Sequence, residues 1–127
     1  ACRALKATNL GLVTPYVPSV STAMIDLLAK EGINVERSVS FEQVEDPIVA
    51  RISERSTLKA ILSVGESSSV DAVFASCTNL RTFGIIDEAE KRLNKPVISS
   101  NLALAWHLAK LGGIDTRSFG PGMIFTK

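Results

Sequence analysis

Three polar clusters in this sequence carry groups that do chemistry, and each follows directly on an apolar run. They are Thr14-Pro15-Tyr16, Ser76-Cys77-Thr78-Asn79 and Ser99-Ser100-Asn101. Together they offer a thiol, a phenol, hydroxyls, carboxamides and backbone N–H groups. Such a set suits proton abstraction beside a carboxylate, or addition of a thiol to an activated double bond.

Cys77 is the most reactive member. Apolar residues lead into it and helix-starting residues follow, so the spacing predicts a strand-to-helix junction. Unpaired N–H groups and the helix dipole point outward there and favour a thiolate. The same N–H groups can hold a carboxylate or an enolate oxygen. Thr78 or Asn79 then caps the helix and also reaches a ligand. The plainer reading is a buried free thiol followed by ordinary capping chemistry. Tyr16 is either a donor to developing negative charge or a ring wedged under a loop. Ser100 and Asn101 either join the site or cap the last helix. His107, two turns from the strand end, reads as a packed or surface residue, and Cys2 as structural. Glu54-Arg55 and Glu88 to Arg92 read as solvated helix faces. The sequence holds no cluster with metal-ligand spacing, no G-x-G-x-x-G and no G-x-x-x-x-G-K-[ST].

The elements that must position these groups alternate. Leu10 to Val13 reads as a short buried strand stopped by Thr14-Pro15. A helix follows, capped by Ser19 or Ser21, with Val20, Met24, Leu27 and Leu28 on its apolar face and Gly32 just past its end. Ile33, Val35, Val39 and Phe41 keep an approximate two-residue period, which predicts a second strand. Asp46-Pro47 starts a helix. Its apolar phase breaks before Leu58, so two helical pieces are expected around Ser53. "DAVFAS" is a third strand. "NLRTFGIIDEAEKRLN" is a helix with Leu80, Phe83, Ile86, Ala89 and Leu93 on one stripe. "KPVISS" is a fourth strand, and "NLALAWHLAKLGG" a last helix. Residues 114–127 are turn-rich and are expected to be irregular. Strand and helix repeat four times, which predicts a three-layer α/β domain around a four-stranded parallel sheet of flavodoxin-like type. Ligands of such sheets bind beyond the carboxyl ends of the strands, where the three clusters lie.

Bulk properties narrow the function classes. The 127 residues suffice for one domain, and 46% hydrophobic against 21% charged residues is a globular balance. A net charge of +1 without a basic stripe argues against nucleic-acid binding. No apolar run approaches a membrane span, and "ACRALKATN" has no apolar h-region of a secretory signal. Two distant cysteines indicate neither a disulfide scaffold nor a zinc site, and a cytoplasmic location is expected. The start at Ala1, without an opening element, suggests a piece of something longer.

"LVTPYVPSV", "DPIVARIS", "VFASCTNLRT" and "KPVISSNLALAWHLAKLGG" together resemble the aspartate/glutamate racemase superfamily. The branch they resemble holds maleate cis-trans isomerases, arylmalonate decarboxylases and ectoine-utilisation protein A. The resemblance runs from about Leu5 to the end. It implies one lobe of a two-lobe fold with the active site in the cleft between the lobes, each lobe usually giving one cysteine. It also implies work on small carboxylic acids without cofactor or metal. Residues 1–127 then correspond to the second, C-terminal lobe, with residues 1–8 ending the helix that joins the lobes. Cys77 matches the second-lobe cysteine, an acid, base or nucleophile depending on the branch. Tyr16 matches the tyrosine that stabilises an enediolate-like intermediate. Thr78 and Asn79 match residues that grip a carboxylate, and Thr14, Ser100 and Asn101 are assigned to the same substrate site. The implied partners are a small carboxylate and either a missing first lobe or further copies of the chain.

Two departures qualify the match. The first-lobe cysteine and its carboxylate pocket are absent, and Cys2, at the end of the joining helix, cannot replace them. Maleate isomerases also tend to carry an asparagine near Asp46-Pro47. An aspartate there either repels a dicarboxylate or serves only as a helix cap, which favours the ectoine-utilisation branch or an unassigned racemase-like one.

Overall fold

A computed structural model describes residues 1–117 and 119–127; Ser118, within the expected irregular tail, lies outside the described residues. Four strands form one sheet in the order β2-β1-β3-β4, every adjacent pair parallel. They are β1 (Asn9–Thr14), β2 (Asn34–Ser40), β3 (Ala72–Ala75) and β4 (Val97–Ser99). The α/β alternation read from the sequence is therefore the architecture.

The central strands are buried because both faces are covered. Leu10, Leu12 and Val13 of β1 and Ala72, Val73 and Ala75 of β3 are inaccessible to solvent. On one face lie α4 (Glu54–Gly65) and α5 (Ile86–Leu93). Gly11 permits that approach, since a Cβ there would sit 2.9 Å from Val64 Cγ2 of α4. Gly65 does the same, because its Cβ would fall 2.8 Å from Val73 Cγ2 and 2.5 Å from Leu93 Cδ1. On the other face Leu28 of α2 (Pro18–Lys30) packs with Leu10, Ala72 and Phe74. Leu28 and Ala103 of α6 (Ser100–Leu111) line a cavity of about 330 Å³ with Phe74 and Ile98, and half-buried Cys2 sits there too. Cys2 belongs to the short α1 (Cys2–Leu5). Burial pushes its thiol above the ordinary value, as suits a packed group.

The helical break near Ser53 is present: α3 (Asp46–Val49) and α4 are separate, and the Ser53 hydroxyl accepts from the Ser56 N–H. Gly32 has φ +76, the left-handed conformation expected just past a helix end.

Several local expectations give way. Helix α2 starts at Pro18 on Val17 with no side-chain cap, so neither Ser19 nor Ser21 caps it. Its inward side is Ser21, Met24, Ile25 and Leu28, all only half-buried, while Val20 stays exposed and Leu27 is 61% exposed. The helix lies over the β2 edge, where a bulge at Glu36 breaks the register and the strand stays largely open. Helix α5 starts at Ile86, after a 3-10 turn at Phe83–Ile85, not at Asn79. Leu80 is instead pulled into a cluster with Val49 and Cys77, and Phe83, 69% exposed, is off the expected stripe.

Glu90 is not on a solvated face. It is 5% exposed, and its carboxylate accepts from the N–H of Val97 at 2.8 Å and of Met123 at 2.8 Å. Nor is the tail wholly irregular. A 3-10 turn at Met123–Thr126 buries Ile124 and Phe125 beside Trp106, and Asp87 accepts from Gly122 N at 2.9 Å.

Candidate active site

The sheet order sets the ends of β1, β3 and β4 side by side, so the three polar clusters become neighbours. The last ladder-like bond beyond β3 runs from Ser76 N to Val13 O at 2.8 Å. One residue later stands Cys77, 7% exposed, packed with Val49 and Leu80 and flanked by Tyr16. The loop then turns back through Leu80 N to Cys77 O at 3.3 Å. Because α5 starts nine residues after Cys77, its dipole does not act on the thiol. The local backbone acts instead, as Asn79 N–H points to Cys77 Sγ at 3.4 Å. No backbone acceptor among the described residues takes the N–H of Cys77 or Thr78.

Tyr16 is held by the neighbouring strand end. Its carbonyl accepts from the Ser40 hydroxyl and, at 3.4 Å, from that of Ser21. The Pro15 carbonyl accepts from Gln43 N at 2.6 Å. The Tyr16 ring packs against the cluster that holds Cys77. Burial first, then the neighbouring Cys77 sulfur, then the charge of Asp46, push the phenol's ionisation up to about 12. It is therefore a neutral donor throughout the physiological range. Asp46, the first residue of α3, makes no capping bond and presents its charge toward Tyr16.

The remaining expected residues are spread. Thr78 and Asn79 are exposed and line a pocket of about 310 Å³ with Ser99 and Asn101. Asn101 Nδ2 donates to the Thr78 carbonyl at 3.0 Å. The cap of α6 is Ser99, whose hydroxyl accepts from Leu102 N at 3.2 Å, rather than Ser100 or Asn101. Ser100 is half-buried in the first turn. Thr14 is buried, with its hydroxyl 2.7 Å from that of Ser21, on the α2 side and away from the pocket beside Cys77. His107 is exposed.

Sequence reasoning did not single out Arg81. It is exposed on the rim of the same pocket, with Nε 3.4 Å from the Ile52 carbonyl. Its place in "CTNLR" was the only available signal. Among the described residues no three His, Cys, Asp or Glu side chains group to hold a metal ion, and no helix is long and apolar enough to cross a membrane.

The family model described as arylmalonate decarboxylase matches residues 1–125. The chain belongs to the arylmalonate decarboxylase family. Within it, the chain is 31% identical over 128 residues to the arylmalonate decarboxylase of Bordetella bronchiseptica, covering 97% of this chain and 52% of that protein. It is 26% identical over 119 residues to the maleate isomerase of Alcaligenes faecalis, covering 93% and 47%. The chain thus spans about half the length of the curated relatives it matches. Solved structures of the arylmalonate decarboxylase family and its maleate isomerase kin superimpose closely. The maleate isomerase of Pseudomonas putida S16 with maleate gives a TM-score of 0.91 at 27% identity, over 98% of this chain and 50% of that one. An arylmalonate decarboxylase gives 0.85 at 26%, over 98% and 56%.

Proposed function

We propose that this chain is the cysteine-bearing second lobe of a cofactor-independent racemase, isomerase or decarboxylase of small carboxylic acids. The observation that carries the reading is the Tyr16 phenol set against the Cys77 thiol where two parallel strands end side by side. Cys77 as thiolate takes the proton next to a carboxylate, or adds to an activated double bond so that a C–S bond forms as the π bond opens. Either event puts negative charge on a carboxylate oxygen. Tyr16 and the N–H groups of Cys77 and Thr78 donate to that charge. Thr78, Asn79 and Asn101 line the substrate side of the pocket, with Ser100 next to them in the first turn of α6, and Thr14 supports the Tyr16 loop through Ser21. The maleate isomerase crystallised with maleate as a cysteine-to-alanine variant supports the assignment of the thiol. The test is turnover of maleate, arylmalonates, aspartate and glutamate by the wild type and by Cys77→Ser. Turnover that survives in Cys77→Ser would overturn the thiol's role.

A second reading is that the chain alone is an inert lobe that binds a carboxylate or serves in assembly. Its support is the match to only half of each relative. Clear turnover by the monomeric chain would rule it out. The exposed apolar residues of α6 and the tail, Leu104, Leu108, Leu111, Ile114 and Phe119, support association with a further copy or a missing lobe. The two free thiols accord with a cytoplasmic setting.

A further inference from the structure

The bond between Asn101 and Thr78 links the first turn of α6 to the loop that carries the thiol. Its consequence follows from peptide geometry. The Thr78 carbonyl and the Asn79 N–H belong to one planar trans peptide, so they point in opposite directions. With the carbonyl drawn to Asn101 Nδ2 at 3.0 Å, the N–H is turned the other way, onto Cys77 Sγ at 3.4 Å. A flip of that single plane would break both contacts together. The flanks of the loop are fixed independently, by Ser76 N on Val13 O and by the buried Leu80. They leave this plane as the free variable. Asn101 is available for the task because Ser99 already caps α6.

We propose that Asn101 is a positioning residue: by holding the Thr78 carbonyl it fixes the peptide plane that aims the Asn79 N–H at the Cys77 sulfur. This rests on the reading of Cys77 as the reactive thiolate, and it moves Asn101 from contact with substrate to control of the thiol. An N–H pointed at sulfur stabilises the thiolate more than the thiol. Loss of the clamp therefore removes thiolate at neutral pH and changes little where the thiol is ionised in any case.

The experiment measures the rate of Cys77 alkylation by iodoacetamide in a Cys2→Ser background, with and without Asn101→Ala, at pH 7 and pH 10. The expected result is a drop of about fivefold at pH 7, the size of one modest hydrogen bond, that closes by pH 10. The Asn79 amide resonance should also shift on removal of the clamp. No drop at pH 7, or an equal drop at both pH values, would overturn the clamp, the second because it reports access rather than ionisation. A Cys2→Ser parent no faster at pH 7 than glutathione would instead overturn the thiolate reading, and the clamp with it.

Discussion

Tyr16 is the chain's only tyrosine, so its titration can be read without ambiguity. Absorbance near 295 nm should show a midpoint at about 12, above the ordinary value of 10.0. The sign follows from the raised value: between those limits the folded state keeps a proton that the unfolded state loses, so stability falls as pH rises through this window. Asp46→Asn removes one of the raising charges and should bring the midpoint down. A midpoint unmoved by that change would mean that Asp46 does not face the phenol. Tyr16→Phe keeps the ring and deletes the donor; a loss of roughly 10²–10³ in kcat is expected if the hydroxyl meets the developing oxyanion. At this scale the places of the candidate residues were legible. Cys77, Tyr16, Thr78 and Asn79 each follow an apolar strand, a signal local to the chain, and β1 and β3 do end just before them. Arg81 and the true capping role of Ser99 were not legible, since both depend on where a neighbouring segment comes to rest.

The elements show the same division. Strand positions followed from apolar runs, and the helical break at Ser53 from a change of phase. The late start of α5 did not, because the residues expected to begin it are diverted by Leu80 packing on Val49, far away in sequence. Glu90 was hidden for a related reason. Its acceptors serve amides 7 and 33 residues away, which no periodicity within α5 reveals. Glu90→Ala should cost about 2–3 kcal/mol by leaving the N–H groups of Val97 and Met123 without an acceptor, as chemical denaturation will measure. Burial outweighs those bonds and raises the Glu90 carboxyl above 4.5. From that value up to the raised one, Glu90's contribution to stability falls as pH rises, and Glu90→Gln should flatten this slope. Gly11→Ala should cost about 1–3 kcal/mol, because its methyl meets Val64 and pushes α4 from the sheet.

At the scale of the whole molecule, one three-layer α/β unit carries the candidate site at the ends of its strands and a helix, α6, with Leu104, Leu108 and Leu111 exposed. Light scattering across a concentration series should show mass rising toward a dimer or higher. Leu104→Glu with Leu108→Glu should return the chain to a monomer, with far-UV circular dichroism unchanged. A wild type that stays monomeric throughout would argue that this face belongs to the half of the relatives' length that the chain does not span. Three-layer order was predictable from alternation alone. Which faces remain uncovered was not, since exposure depends on how completely α2 and α6 spread over the sheet.

Trp106 lies beneath the returning tail, in one cluster with Ile124 and Phe125. It is the only tryptophan in the chain, so its emission is a built-in optical gauge of tail docking. A red shift that precedes loss of helical signal during denaturation would mark the tail as the first part of the fold to let go.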